Sequence, residues 1–173
     1  MDDFRVMLSG GRPNSLGRTV EVVEAVLADR ARLGELLDCY GSDDPLVRLR
    51  ASNALKRVEA QRHDWLAPVI DRLLSEVGAL DQASAQWTLA QLFGRLAADM
   101  DGDQRRAAEA LLRRNLVESD DWIVLNTTID TLAVWARTDA DLRDWLRPHL
   151  QRLSRDGRKS LASRASKLAA KLS

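Results

Sequence analysis

The chain holds two histidines and a single cysteine, and a glycine-bearing loop lies near its start. These are the residues best suited to chemistry. Neither His63 nor His149 has a His, Cys or Glu four residues on, the helical spacing that would pair metal ligands. His63 directly precedes a helix start and is expected in solvent. Cys39 permits no intramolecular disulfide and no cysteine-based zinc site, and no basic residue sits beside it to lower its pKa. It reads as a packed thiol in a reducing compartment. Gly11 to Gly17 followed by Arg18-Thr19 approaches a phosphate loop, but the spacing is one residue too long, Arg replaces Lys, and no strand precedes it. Carboxylates are plentiful, yet they gather at helix starts, where capping accounts for them. The sequence therefore predicts no catalytic residue, no metal, no cofactor and no enzyme.

Residues suited to recognition are more promising. Asp-Trp occurs at 64–65, 121–122 and 144–145. This pattern suits an N-cap Asp followed by a Trp that covers a junction between units. Trp87 differs. At 100° per residue Ala85, Leu89, Leu92, Phe93 and Leu96 form one face of a helix, and Trp87 falls on the opposite side with Gln91.

These residues need helices to carry them. Hydrophobic residues make up 45% of 173 and charged residues 30%, enough for one folded domain. Helical periodicity predicts segments near 18–28, 30–40, 45–60, 64–77, 81–98, 103–117, 121–137, 141–153 and 157–172. Met1 to Leu8 is ambiguous, and residues 10–15 read as a loop, so 1–17 form an N-terminal segment and 18–173 a helical domain. The junctions carry Gly, Ser, Asp and Pro and are short, which makes consecutive helices antiparallel neighbours. No apolar run approaches a membrane span and no secretory leader is evident, so a cytoplasmic protein without membrane contact is expected. Of 26 basic residues 22 are Arg, a bias of GC-rich bacterial coding.

The chain also repeats. Residues 64–73 and 144–153 share six of ten identities at a separation of 80, and Ser42-Asp43-Asp44 recurs as Ser119-Asp120-Asp121 at 77. Four helices per period make two helix pairs of about 40 residues each. Asp44-Pro45-Leu46-Val47-Arg48, then Ala51, Ala54-Leu55 and Val58, resembles the second helix of a HEAT repeat, in the armadillo-like superfamily. The match is degenerate at 119–135 and survives at 81–96 as Ala85, Leu89 and Leu92. The resemblance implies an all-α, right-handed α-solenoid of about four HEAT-like helical hairpins. It also implies that second helices line a concave side. There Asn53, Trp87, Gln91 and Asp130 would form a ligand-facing row, much as armadillo relatives hold peptides with Asn and Trp.

Three functional readings follow. The first is a non-enzymatic binding or scaffold module gripping a protein or peptide on that concave face. The alternative is a nucleic-acid-binding relative of the HEAT-like alkylpurine DNA glycosylases, against which the balance of 26 acidic and 26 basic residues weighs. A third is a homo-oligomer that buries Trp87 between copies. The only charge asymmetry lies at the end, where Arg155, Arg158, Lys159, Arg164, Lys167 and Lys171 oppose Asp156 alone, a net +5. Leu161, Ala165, Leu168 and Leu172 make this an amphipathic basic helix that suits the polar-faced cap of a stack.

Overall fold

The computed structural model describes residues 3–172, and among them every regular element is helical. The helices are α1 (Phe4–Leu8), α2 (Thr19–Ala28), α3 (Leu33–Asp38), α4 (Pro45–Gln61), α5 (Ile70–Arg72), α6 (Ala83–Leu96), α7 (Gly102–Glu118), α8 (Trp122–Trp135), α9 (Ala140–Leu153) and α10 (Lys159–Lys171). They pack in two rows. In one row α2 lies on α4, α4 on α6, α6 on α8 and α8 on α10. In the other, α3 backs α4, the segment after α5 backs α6, α7 backs α8, and α9 backs α8 and α10. The short α1, which hydropathy left ambiguous, buries Phe4 and Leu8 against α2 and α4.

Local chemistry explains the helix starts. Asp44 caps α4 by accepting from the Leu46 N–H at 2.8 Å, with Pro45 at the first helical position. Asp121 caps α8 in the same way, accepting from Ile123 at 2.8 Å and Val124 at 3.0 Å. The Ser42 and Ser119 hydroxyls accept from the N–H of Asp44 and Asp121, respectively. The repeated Ser-Asp-Asp is thus one turn built twice. Asp101 and Gln104 form a reciprocal capping box at α7.

The longer repeat is not structurally equivalent, which corrects the reading of its Asp residues as caps. Residues 63–77 form 3₁₀ turns at His63–Trp65 and Ala67–Val69, the single α-turn of α5, and a π-turn at Leu73–Val77. Residues 144–153 lie within continuous α9, capped by Asp139. The cause is upstream. Only Arg62 and His63 separate the end of α4 from the first copy, whereas Asp139 to Arg143 supply a cap and a full turn before the second. Asp64 pairs with Arg62 instead, and Asp144 with Arg147. Pro148 sits inside α9 on its exposed side, as does Asp144, whose carbonyl loses its helical donor to the proline.

Small residues let neighbouring helices approach closely. Val47, Ala51, Ala54, Leu55 and Val58 are buried along α4. Gly94 brings α6 onto α8, where a Cβ would stand 3.0 Å from the Thr131 hydroxyl, and that hydroxyl donates to the Ala90 carbonyl at 2.7 Å. Ala54 is fully buried, so Ala54→Leu should overpack its contact and cost about 1–3 kcal/mol. Thermal melting checks this, since an exposed site would show no change.

Candidate binding surface

Asn53 lies on α4, Trp87 and Gln91 on α6, and Asp130 on α8, three helices adjacent in one row. All four side chains are half-buried. No hydrogen bond joins any two of them, and two are engaged elsewhere. The Asn53 carbonyl oxygen accepts from Arg57 Nε at 2.7 Å. Asp130 accepts from Arg164 Nη1 of α10 at 3.1 Å. Burial pushes the Asp130 carboxyl above its ordinary pKa, and Arg164 partly offsets this. The row is therefore less free for hydrogen bonding than its residue types suggest. It is also more charged, because Lys56 and Arg57 stand one turn beyond Asn53. Burial lowers the Lys56 pKa, and Arg95 and Arg57 lower it further.

Beside these cations sits a cluster that sequence reasoning missed. Glu59 is 4% exposed, and one of its oxygens accepts from Arg95 Nη1 at 2.6 Å. Its other oxygen is 2.8 Å from His63 Nδ1, and His63 Nε2 is 2.8 Å from Asp99. An imidazole donating to two carboxylates must carry both protons. Hydrogen bonds to Glu59 and then Asp99 accordingly raise the His63 pKa. The ring is exposed, as expected from the sequence, but both of its nitrogens are engaged, which the sequence did not show. The clip joins the end of α4 to the end of α6. It holds the imidazole in the form that cannot accept a proton, so it is poorly placed as a general base.

The linkage has a definite sign. A histidine pKa raised by folding contributes its full stability below the unfolded value of about 6.5 and loses it as pH climbs through the folded value. Between pH 6 and 8.5 the melting temperature of the wild type should fall more steeply than that of His63→Gln. His149, lowered by burial and by Arg152 and Arg113, pulls the opposite way in both proteins and cancels in the comparison. Parallel melting curves across that window would contradict the clip.

The tryptophans divide by role. Trp65 is 5% exposed, with the Arg62 guanidinium 4.2 Å and Arg30 5.8 Å from its ring centre. Trp145 has Arg113 at 4.6 Å and stacks on His149 at 4.3 Å. Each thus takes an Arg from an earlier second-row segment, as a junction cover should. Trp122, from the third Asp-Trp, is 47% exposed and covers nothing comparable. Trp135 is buried under Arg105.

The glycine loop works in reverse of a phosphate loop. A phosphate loop aims N–H groups inward at an anion. Here carbonyls of Leu8, Gly10, Arg12 and Ser15 point at Arg50 of α4, at 2.7, 2.7, 3.1 and 3.1 Å, with Ser9 at 3.3 Å. The cage is already filled by the protein's own cation, and Arg50 is 2% exposed.

Cys39 is buried, and desolvation pushes its thiol up to about 12, which makes it a poor nucleophile at neutral pH. Among the described residues no group of three or more His, Cys, Asp or Glu side chains is placed to hold a metal ion. No described helix is long and apolar enough to cross a membrane. No family model, curated protein or solved structure matches this chain.

Proposed function

We propose that this chain is a non-enzymatic binding module of HEAT-like architecture that takes a protein or peptide on the face formed by α4, α6 and α8. The carrying observation is the unbroken row α2–α4–α6–α8–α10, backed by a second row of helices, with the Ser-Asp-Asp turn built alike at α4 and α8. In this reading the helices form a right-handed solenoid of about four hairpins, and the first row lines its concave side. Trp87 offers a rigid aromatic face, while Gln91 and Arg95 on the same helix and Asn53, Lys56 and Arg57 on neighbouring α4 add polar groups to the row. Glu59 pairs with Arg95, Asp99 with His63 and Asp130 with Arg164, so the face carries both signs, which favours a polypeptide carrying both signs over a uniformly anionic strand.

Capture on the immobilised full chain tests the proposal. A protein retained from native lysate at 150 mM salt, together with flow-through of the chain on a DNA column at 50 mM salt, is the expected pair of results. Retention on DNA with steep salt elution and no protein capture would instead select the nucleic-acid alternative. Light scattering that shows a stable dimer, lost in Trp87→Ala, would select the homo-oligomer.

A further inference from the structure

Where α8, α9 and α10 meet, Arg137, Arg143, Arg147, Lys171 and Leu172 line an open pocket of about 280 Å³. Arg137 lies in the turn after α8, Arg143 and Arg147 project one turn apart from α9, and Lys171 closes α10. Only the charge of Lys171 was drawn into the basic C-terminal stretch by sequence. The other three cations come together only through packing.

Helix capping explains part of this cluster. The negative end of a helix attracts cations. Arg143 donates to the Ala136 carbonyl at the end of α8 at 3.5 Å, and Arg147 donates to the Leu172 carbonyl at the end of α10 at 3.3 Å. Two helix ends account for two cations, and each guanidinium keeps further N–H groups for other partners. The Arg137 and Lys171 side chains have no hydrogen-bond or ion-pair partner among the described residues, yet they converge on the same space. Asp144, the carboxylate paired with Arg147 at 3.7 Å, stays 73% exposed and is not among the described residues lining the pocket. Four like charges around one cavity repel one another unless an anion joins them.

We propose that this pocket binds a phosphomonoester dianion carried on a serine or threonine of a protein partner. Guanidinium forks match phosphate oxygens two at a time, and the two partnerless cations balance a doubly charged group. Leu172 is the one apolar residue among the described residues of the lining, which therefore offers no stacking surface for a base, and selectivity rests on the phosphoryl group. Lys171 also opens onto a groove along α10 lined by Ser163, Arg164, Lys167 and Leu168, which suits acidic residues flanking the phosphorylated one. The protein source rests on the binding function proposed above, whereas the anion site rests on the pocket itself.

Titrating the full chain with a phosphoserine peptide flanked by Asp and Glu, its unphosphorylated twin, inorganic phosphate and oligo-dT separates the outcomes. The phosphopeptide should bind at least about tenfold tighter than its twin and than phosphate. Arg137→Gln with Lys171→Gln should abolish the preference without shifting the melting temperature, because neither side chain caps a helix. Trp87→Ala should leave it intact, so failure here and failure of the α4–α6–α8 face are told apart. Equal affinity for the two peptides would overturn the site. Phosphate binding as tight as the phosphopeptide would overturn the protein source, and tighter binding of oligo-dT would overturn it in favour of nucleic acid.

Discussion

Arg50→Met should lower the melting temperature by about 6–12 °C, the shift that about 3 kcal/mol makes in a domain of this size. Hydrogen bonds to a charged donor contribute roughly 1.5–3 kcal/mol each. Arg50 makes five such contacts to backbone carbonyls spread over residues 8–15. They share one side chain and do not add, and removing the guanidinium also relieves its own desolvation, which keeps the net near the value of one or two bonds. The loss should be local first. Loop 9–18 should open to trypsin at Arg12 and Arg18 before the rest of the chain melts. Arg50→Lys should rescue little, since a compact ammonium cannot span carbonyls that a planar fork reaches from several sides. Gly17 belongs to the same lock. Its φ is +53°, and a Cβ there would stand 2.9 Å from the Arg50 guanidinium carbon. An unchanged melting temperature in Arg50→Met would show that water replaces the guanidinium without cost.

Ending the chain after Asp156 should have the larger effect. It removes α10, which packs on α8 and α9, and with it the buried Leu161, Ala165 and the following Leu172. It also removes the Arg158 donation to the Asp120 carbonyl and the Arg164–Asp130 pair. Two buried leucines contribute roughly 1.5–3 kcal/mol each, and the apolar face they leave behind about doubles the loss, to about 6 kcal/mol or more. A typical domain has about 5–15 kcal/mol in total. The shortened chain should therefore lose its cooperative melt or aggregate. Arg164→Ser with Lys167→Ser removes charge from the same helix and should melt within about 4 °C of the wild type. If the truncated chain melts as the wild type does, α10 is an appendage and not the cover of the last pair.

The helices were legible because their signals are local. Asp44 and Asp121 stand three residues before Val47 and Val124, and the apolar positions of α4 recur at helical spacing. Residues 63–77 were not. The Asp-Trp-Leu-x-Pro pattern is the same in both copies, but whether it continues a helix depends on the residues in front of it. Arg50 falls on the buried stripe with Val47 and Ala54, so its burial is written in the periodicity. Its partners are carbonyls, which every residue has, and carry no sequence signal. Glu59 lies four residues before His63, a visible helical spacing, while Asp99 reaches the same imidazole only because α4 packs on α6. Arg137 and Lys171 likewise meet through three helix ends, at a distance no spacing rule covers. The row of Asn53, Trp87, Gln91 and Asp130 was placed on adjacent helices by phase alone. Its tie from Asn53 to Arg57 is again a visible four-residue spacing, whereas Asp130 meets Arg164 only because α8 packs on α10.

The affinity of Trp87→Ala for the captured protein, measured per folded molecule beside its melting temperature, tests the binding face most directly. A hot-spot tryptophan contributes about 2 kcal/mol or more, so affinity should fall at least about 30-fold. The melting temperature should move by no more than about 4 °C, because the indole lies away from the buried stripe of α6 and is only half-covered. Unchanged affinity with a large loss of stability would make Trp87 a packing residue and place the partner elsewhere.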